Sequence, residues 1–196
     1  RSTDYFSNWV ETEVINTYNQ NLITKYGIVK VATSESKIVD SFSQDGTKIT
    51  QTKSAEVTYS YGDRDSYHGI LTGVGETRHG ITKSTDYFGN WTETEVINTY
   101  EENLIRDYGI AKVWKSESEI INSFSQDGTK ITQTQLAEVE YTYGDKGEYH
   151  GILTGVEETR HGITKSTDYF GNWTETEVIN TYEENLIRDY GIVKVW

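Results

Sequence analysis

The feature that most constrains this chain is a 31-residue stretch, Ser84 to Trp114, that returns at Ser166 to Trp196 with one change, Ala111 becoming Val193. A looser copy starts at Ser2, where Phe6, Gly27 and Ile28 align with Phe88, Gly109 and Ile110. The offset is 82 residues each time, so the 196-residue chain reads as repeat 1 (1–83), repeat 2 (84–165) and a partial repeat 3 (166–196). Fixed-period self-similarity marks a unit that leans on its neighbours to bury its apolar face. Arg1 sits where Lys83 and Lys165 sit, so the chain reads as an excerpt of a longer array.

Only 34% of the residues are hydrophobic, too few for a deep two-layer core. Fifteen tyrosines and five tryptophans offset this with large apolar faces that suit half-buried positions. Thr, Val, Ile and Tyr are abundant and favour strands, whereas Ala and Leu are scarce. Proline is absent, which argues against a disordered chain of this polarity. Cysteine is absent too, removing disulfides, thiol catalysis and thiolate metal sites, and fitting either a reducing compartment or an extracellular chain held by repetition. A net charge of −13 disfavours nucleic acid and anionic membranes as partners. No run approaches the ~20 apolar residues of a membrane span, and no signal peptide is visible.

Four clusters in repeat 2 read as hairpin tips: Phe88-Gly89-Asn90, Glu101-Glu102-Asn103, Gln126-Asp127-Gly128 and Gly144-Asp145-Lys146-Gly147. Lys115–Ser118 and Val156–Gly162 are weaker breaks, with an irregular loop expected around Glu157–His161. Between the tips, Thr129–Tyr143 alternates with period two, Ile131, Ala137, Val139, Tyr141 and Tyr143 opposing Lys130, Thr132, Glu138 and Glu140. Thr47–Tyr61 keeps the same split, so both are predicted as equivalent strands with Tyr59, Tyr61, Tyr141 and Tyr143 on the more buried face. Leu104–Trp114 alternates as well, with Leu104, Tyr108, Ile110 and Trp114 on one face, and Trp91–Tyr100 is read as a strand because Thr, Val, Ile and Asn are mediocre helix formers. The fold class implied is all-β: an elongated antiparallel repeat sheet or β-solenoid-like array with a period of 82 residues.

The aromatic and glycine pattern of Phe124-Ser125-Gln126-Asp127-Gly128 and Tyr141-Thr142-Tyr143-Gly144-Asp145 resembles the tyrosine–aspartate (YD) repeats of Rhs-type toxin shells and teneurins. That resemblance implies a long β-sheet spiral built from an aromatic strand followed by a glycine-containing turn. The 82-residue period and the unequal turn spacing depart from that pattern.

Candidate chemistry is sparse. His68, His79, His150 and His161 fall two per repeat at matching positions, an incomplete set for zinc without Cys or a defined carboxylate. The pairs Glu101-Glu102, Glu157-Glu158 and Glu138/Glu140 suit acid–base work on a sugar only if a pocket raises one pKa. The first copy replaces Glu101-Glu102 by Asn19-Gln20 and Glu157 by Gly75. Asp127, Asp145 and Glu148 offer hard oxygens for calcium, without the spacing of a known calcium loop. Asn90 and Asn172 stand in glycosylation sequons, and Asn8 does not. Tyr and Trp suit sugar stacking, although aromatic ladders within a sheet are the commoner use. No catalytic, cofactor or metal residues are assigned, and the chain is not read as an enzyme.

Near-identical copies point to a structural segment of an extracellular or cell-surface fibre, stalk or adhesin, acting as a spacer or self-assembling filament. Its expected partners are adjacent repeats or other copies of itself. The alternatives are a multivalent module binding surface glycan or protein, and the wall of a YD-type toxin-encapsulating shell.

Overall fold

The computed structural model describes residues 1–3, 7–62, 68–144 and 151–195. The first repeat runs β1 (Ser2–Thr3), β2 (Trp9–Tyr18), α1 (Gln20–Tyr26), β3 (Val31–Phe42), β4 (Lys48–Lys53), β5 (Ala55–Tyr61), β6 (Leu71–Arg78) and β7 (Gly80–Thr85). The series then recurs as β8 (Trp91–Tyr100), α2 (Glu102–Tyr108), β9 (Val113–Phe124), β10 (Lys130–Gln135), β11 (Ala137–Tyr143), β12 (Leu153–Arg160) and β13 (Gly162–Thr167). The third copy supplies β14 (Trp173–Val178) and α3 (Glu184–Tyr190). The protein is therefore mostly β.

Among the described residues all pairing is antiparallel and no sheet closes. One sheet has the order β1-β2-β3-β5-β6, a second β4-β7-β8-β9-β11-β12, and a third β10-β13-β14. Sheet membership thus crosses the 83/84 boundary: β4 from repeat 1, and β7, which straddles the boundary, complete the sheet built from repeat 2. Along each repeat the chain passes between two sheets, and side chains bridge the seam. Ser123 Oγ donates to the Ile131 carbonyl and accepts the Ile131 amide, both at 2.8 Å, as Ser41 does with Ile49. Gln133 Oε1 accepts the Ile120 amide at 2.6 Å, and Gln51 Oε1 the Ile38 amide at 2.8 Å. Those amides are freed by bulges, since Val39 and Ile121 are extra residues opposite β2 and β8.

Several sequence expectations change here. Thr129–Tyr143 is not one strand: it breaks at Leu136, and its halves enter different sheets, as Thr47–Tyr61 does at Ser54. The chain crosses there beside Gly162 and Gly80, and a Cβ on Gly80 would lie 3.1 Å from Ala55 Cβ and 2.6 Å from Gln51 Nε2. The predicted split into a buried and a solvated face also softens: in β11 only Thr142 is exposed, and Glu138 and Glu140 are half-buried like Val139 and Tyr141. Lys115–Ser118 is no break, because β9 runs through it, and the Glu157–His161 loop shrinks to His161 between β12 and β13.

The largest correction concerns Glu101-Glu102-Asn103 and Leu104–Trp114. Glu102–Tyr108 form helix α2 and 109–112 a short loop, with Val113 and Trp114 already in β9, where a hairpin tip and one strand were expected. Glu101 is the N-cap, its side chain accepting the Asn103 amide, and Asn19 caps α1 through the Leu22 amide. Gly109, at φ 67°, ends α2 in the left-handed region and donates to the Ile105 carbonyl. Seven residues are too few for a helix stable on its own, so packing must hold it. The helices indeed supply all the fully buried hydrophobic side chains among the described residues: Leu22, Leu104, Ile105 and Ile187. Helix α2 lies on β6 of the preceding repeat and α3 on β12. Trp91–Tyr100 forms β8 over those same residues, as predicted.

Candidate functional site

Repeats 1 and 2 each carry a groove beside a Trp–Phe pair, in repeat 2 where the β7–β8 turn meets the β9–β10 turn. Cross-strand pairing sets Trp91 opposite Phe124, their ring centroids 6.1 Å apart and inclined by 20°. Trp9 and Phe42 repeat this at 6.4 Å and 19°. A cation covers each indole: Lys83 Nζ lies 3.8 Å from the Trp91 ring centre, Arg1 Cζ 4.0 Å from Trp9, and Lys165 Nζ 4.4 Å from Trp173. The groove at Trp91 measures about 360 Å³ and that at Trp9 about 490 Å³. Ser, Thr, Asn and Asp side chains rim both.

The polar rim is committed to structure. Asn90 Oδ1 accepts the Gln126 amide at 2.9 Å and the Ser125 hydroxyl at 3.1 Å, tying the two turns together. Asn90 Nδ2 donates to Asp86 Oδ2 at 2.8 Å. The Asn90 side-chain bond, aided by backbone amides, holds the Asp86 carboxyl below its ordinary range, and Asn172 does the same for Asp168. Asp127 is lowered chiefly by Ser125, then by Thr129. Both sequon asparagines therefore have their amide nitrogens engaged by a carboxylate. Beyond the groove, Tyr87 and Phe88 are 78% and 70% exposed at the turn tip, and Tyr169 and Phe170 80% and 85%. Tyr87 nevertheless leans on Gly46, and Tyr169 on Gly128.

A second groove, about 540 Å³, belongs to repeat 2 and lies beside α2. Trp114, Tyr141 and Tyr143 line it together with Glu101, Asn103 and Asp107. Trp114 reaches it because it is the extra residue of a bulge between β8 and β9. Repeat 1 has Ala32, Lys25 and Asn19 where repeat 2 has Trp114, Asp107 and Glu101, so the lining is not common to the copies. Nearby, burial pushes the Tyr100 hydroxyl up to about 12, with Glu76 adding to it.

Among the described residues, those that the sequence singled out do not converge. His68 stacks on Tyr26 at 3.9 Å, His79 faces Glu95 at 3.8 Å, and His161 Nδ1 lies 3.0 Å from Glu177. His150, Asp145 and Glu148 lie outside the described residues. Glu101 caps a helix, Glu158 accepts the Asn180 amide, and Glu138 joins Lys115 and Arg160 in an ion-pair cluster. A bond from Thr159, then those two cations, holds Glu138 below its usual range. Among the described residues no three His, Asp or Glu side chains are grouped to hold a metal ion. No described helix is long and apolar enough to cross a membrane. The Trp–Phe pairs went unnoticed in the sequence, although Trp and Phe recur at fixed places in each copy. Their pairing depends on register, which sequence spacing alone does not set.

No protein family, curated protein or solved structure matches this chain.

Proposed function

We propose that the chain is a structural repeat segment of an extracellular or cell-surface fibre, stalk or adhesin, an elongated antiparallel array whose repeat number sets its reach. The observation that carries this reading is the shared sheet: β4 of one repeat, joined through the boundary strand β7, completes the sheet of β8, β9, β11 and β12 from the next. A unit that lends strands to its neighbour gains stability from that neighbour, as expected of a linear array. Adjacent repeats are then its principal partners. The test is to melt chains of one, two and four repeats side by side and measure their lengths by small-angle scattering. Melting temperature and length should both rise with repeat number; identical melting temperatures and bead-like particles would sink the proposal.

A second reading, multivalent binding of surface glycan or protein, draws support from the recurring Trp–Phe groove. Spaced copies of one weak site gain avidity when a ligand spans them. A glycan-array screen separates the readings, since a spacer binds nothing specifically.

A further inference from the structure

Trp114 is 37% exposed and stands between two grooves, the one of about 540 Å³ beside α2 and another of about 390 Å³ lined by Thr99, Tyr100 and Glu102. Glu101 and Asn103 line both, so the two form one trough with the indole as a shared wall. The fold does not require a tryptophan there. Repeat 1 makes the same bulge with Ala32 as its extra residue. It caps α1 with Asn19, a better N-cap residue than Glu. Between the repeats four lining residues change together: Asn19, Gln20, Lys25 and Ala32 give way to Glu101, Glu102, Asp107 and Trp114. Tyr59 and Tyr61 meanwhile stay as Tyr141 and Tyr143. One cation is thus replaced by three carboxylates and an indole, and the same four types recur at Glu183, Glu184, Asp189 and Trp196.

A second observation shows what the trough lacks. Lys83, Arg1 and Lys165 lie 3.8, 4.0 and 4.4 Å from the ring centres of Trp91, Trp9 and Trp173. At Trp114 the corresponding cation is Lys115, 5.9 Å away and held at 3.4 Å by both Glu117 and Glu138. Lys112 lies 6.0 Å from the Tyr143 ring and is common to both repeats as Lys30. Arg106 pairs with Asp107 at 2.7 Å and points its charge into water, its side chain 68% exposed. Among the described residues, Trp114 is therefore the indole without a cation of this chain at close range.

We propose that the trough binds a basic segment of a partner protein, an arginine of which stacks on the Trp114 indole while Glu101 and Glu102 accept its edge N–H groups. A guanidinium is flat, so it can lie on the ring and still direct its donors outward to carboxylates, which a compact ammonium does less well. Glu101 uses Oε1 for both of its bonds to Asn103, which leaves Oε2 for a ligand. Asp107, already paired, adds attraction rather than an anchor. Grooves on both sides of one indole suit a chain passing through more than a single small cation. The net charge of −13 favours encounter with a basic partner. The proposal concerns a different groove from the Trp–Phe pairs and does not depend on the spacer reading.

The test is fluorescence anisotropy of a labelled Gly-Arg-Gly-Arg-Gly-Arg-Gly peptide titrated with the full chain at low ionic strength, where exposed charge is least screened. Every chain carries Trp196→Ala, so that the matching residue of repeat 3 adds nothing to the signal. The parent should bind in the micromolar range. Trp114→Ala removes no charge and should weaken binding about tenfold. Glu101→Asn with Glu102→Gln should weaken it about threefold, whereas Glu11→Gln with Glu13→Gln, on the exposed part of β2, should leave it unchanged. The trough substitutions install residues that repeat 1 already carries at those places, so the fold accommodates them. No binding, or equal binding by the parent and Trp114→Ala, would overturn the proposal. Equal losses from the two glutamate pairs would also overturn it, by reducing the effect to general acidity. Spermine competing as well as the peptide would assign the trough to a small amine and overturn the choice of a peptide. None of these outcomes touches the dependence of melting temperature on repeat number, which tests the array reading separately.

Discussion

Strands β2 and β8 differ at one residue in ten, Val10 against Thr92, yet eight residues of β2 are exposed and only one of β8. Intrinsic propensity cannot separate them. The difference lies in the neighbours: β8 sits between β7 and β9, whereas β2 has β3 and only the two residues of β1. Helices α1 and α2 show the same contrast at Ile23 and Ile105. A sequence that repeats encodes a surface suited to pairing, and the adjoining repeat decides whether that surface becomes interior.

The sharpest way to break this comparison is to truncate the isoleucine in each setting. Ile105→Ala should cost about 2–5 kcal/mol in urea unfolding, the range for emptying a packed aliphatic site. Ile23→Ala should cost less than about half as much, because water already reaches that side chain. Equal costs would mean that the preceding β6 contributes nothing to the burial of Ile105.

The strands were largely legible in advance, β8 from its poor helix formers and β10 and β11 from the period-two alternation of Ile131, Ala137, Val139, Tyr141 and Tyr143. It misleads at Leu136 and Ser54, where alternation continues unbroken while the chain changes sheets. Nothing local marks that crossing except the small residues Gly80 and Gly162 that permit close approach. Helix α2 escaped for a different reason. Its residues have middling propensity, but its ends carry start and stop signals, Glu101 before the first turn and Gly109 after the last. Those signals are equally turn signals, because in a chain full of hairpins the same residue types serve both purposes. The aromatic grooves depended on register and on the bulge at Trp114, which spacing does not disclose.

A smaller effect is expected at the seam between sheets. Gln133 accepts the Ile120 amide and donates to the carbonyls of Ser118 and Gln135 at 3.1 and 2.9 Å. Gln133→Ala would strand a half-buried backbone amide, a loss of about 1–3 kcal/mol. The repeat 1 equivalent, Gln51→Ala, removes the matching bond to Ile38 and should act in the same direction. Hydrogen exchange at Ile120 and Ile38 reads each seam separately. Unchanged protection in both variants would show that the side-chain bridges do not hold the sheets together.

The smallest effect should come from the charge cluster, where the two repeats can be made alike by one substitution. Lys115 lies 3.4 Å from both Glu117 and Glu138, and Arg160 closes the group at 2.8 and 3.0 Å. Repeat 1 keeps Arg78 with Glu35 and Glu56 but has Thr33 in place of Lys115, hydroxyl-bonded to Thr17. Burial alone would lower the Lys115 pKa, yet Glu117 and Glu138 outweigh it and raise it. Partly exposed pairs are screened by water and salt, so Lys115→Thr should lower the melting temperature at neutral pH by only about 1–3 °C. The pH dependence identifies the cause. Glu138 has its pKa lowered in the folded chain, first by Thr159 and then by Lys115 and Arg160, so its stabilisation is present above 4.5 and fades as pH falls through the folded value. The gap between the parent and Lys115→Thr should therefore close as the solution is acidified below that point, and should narrow at high salt. A gap that persists at low pH would assign the effect to the packing of the lysine stem along the sheet rather than to its charge.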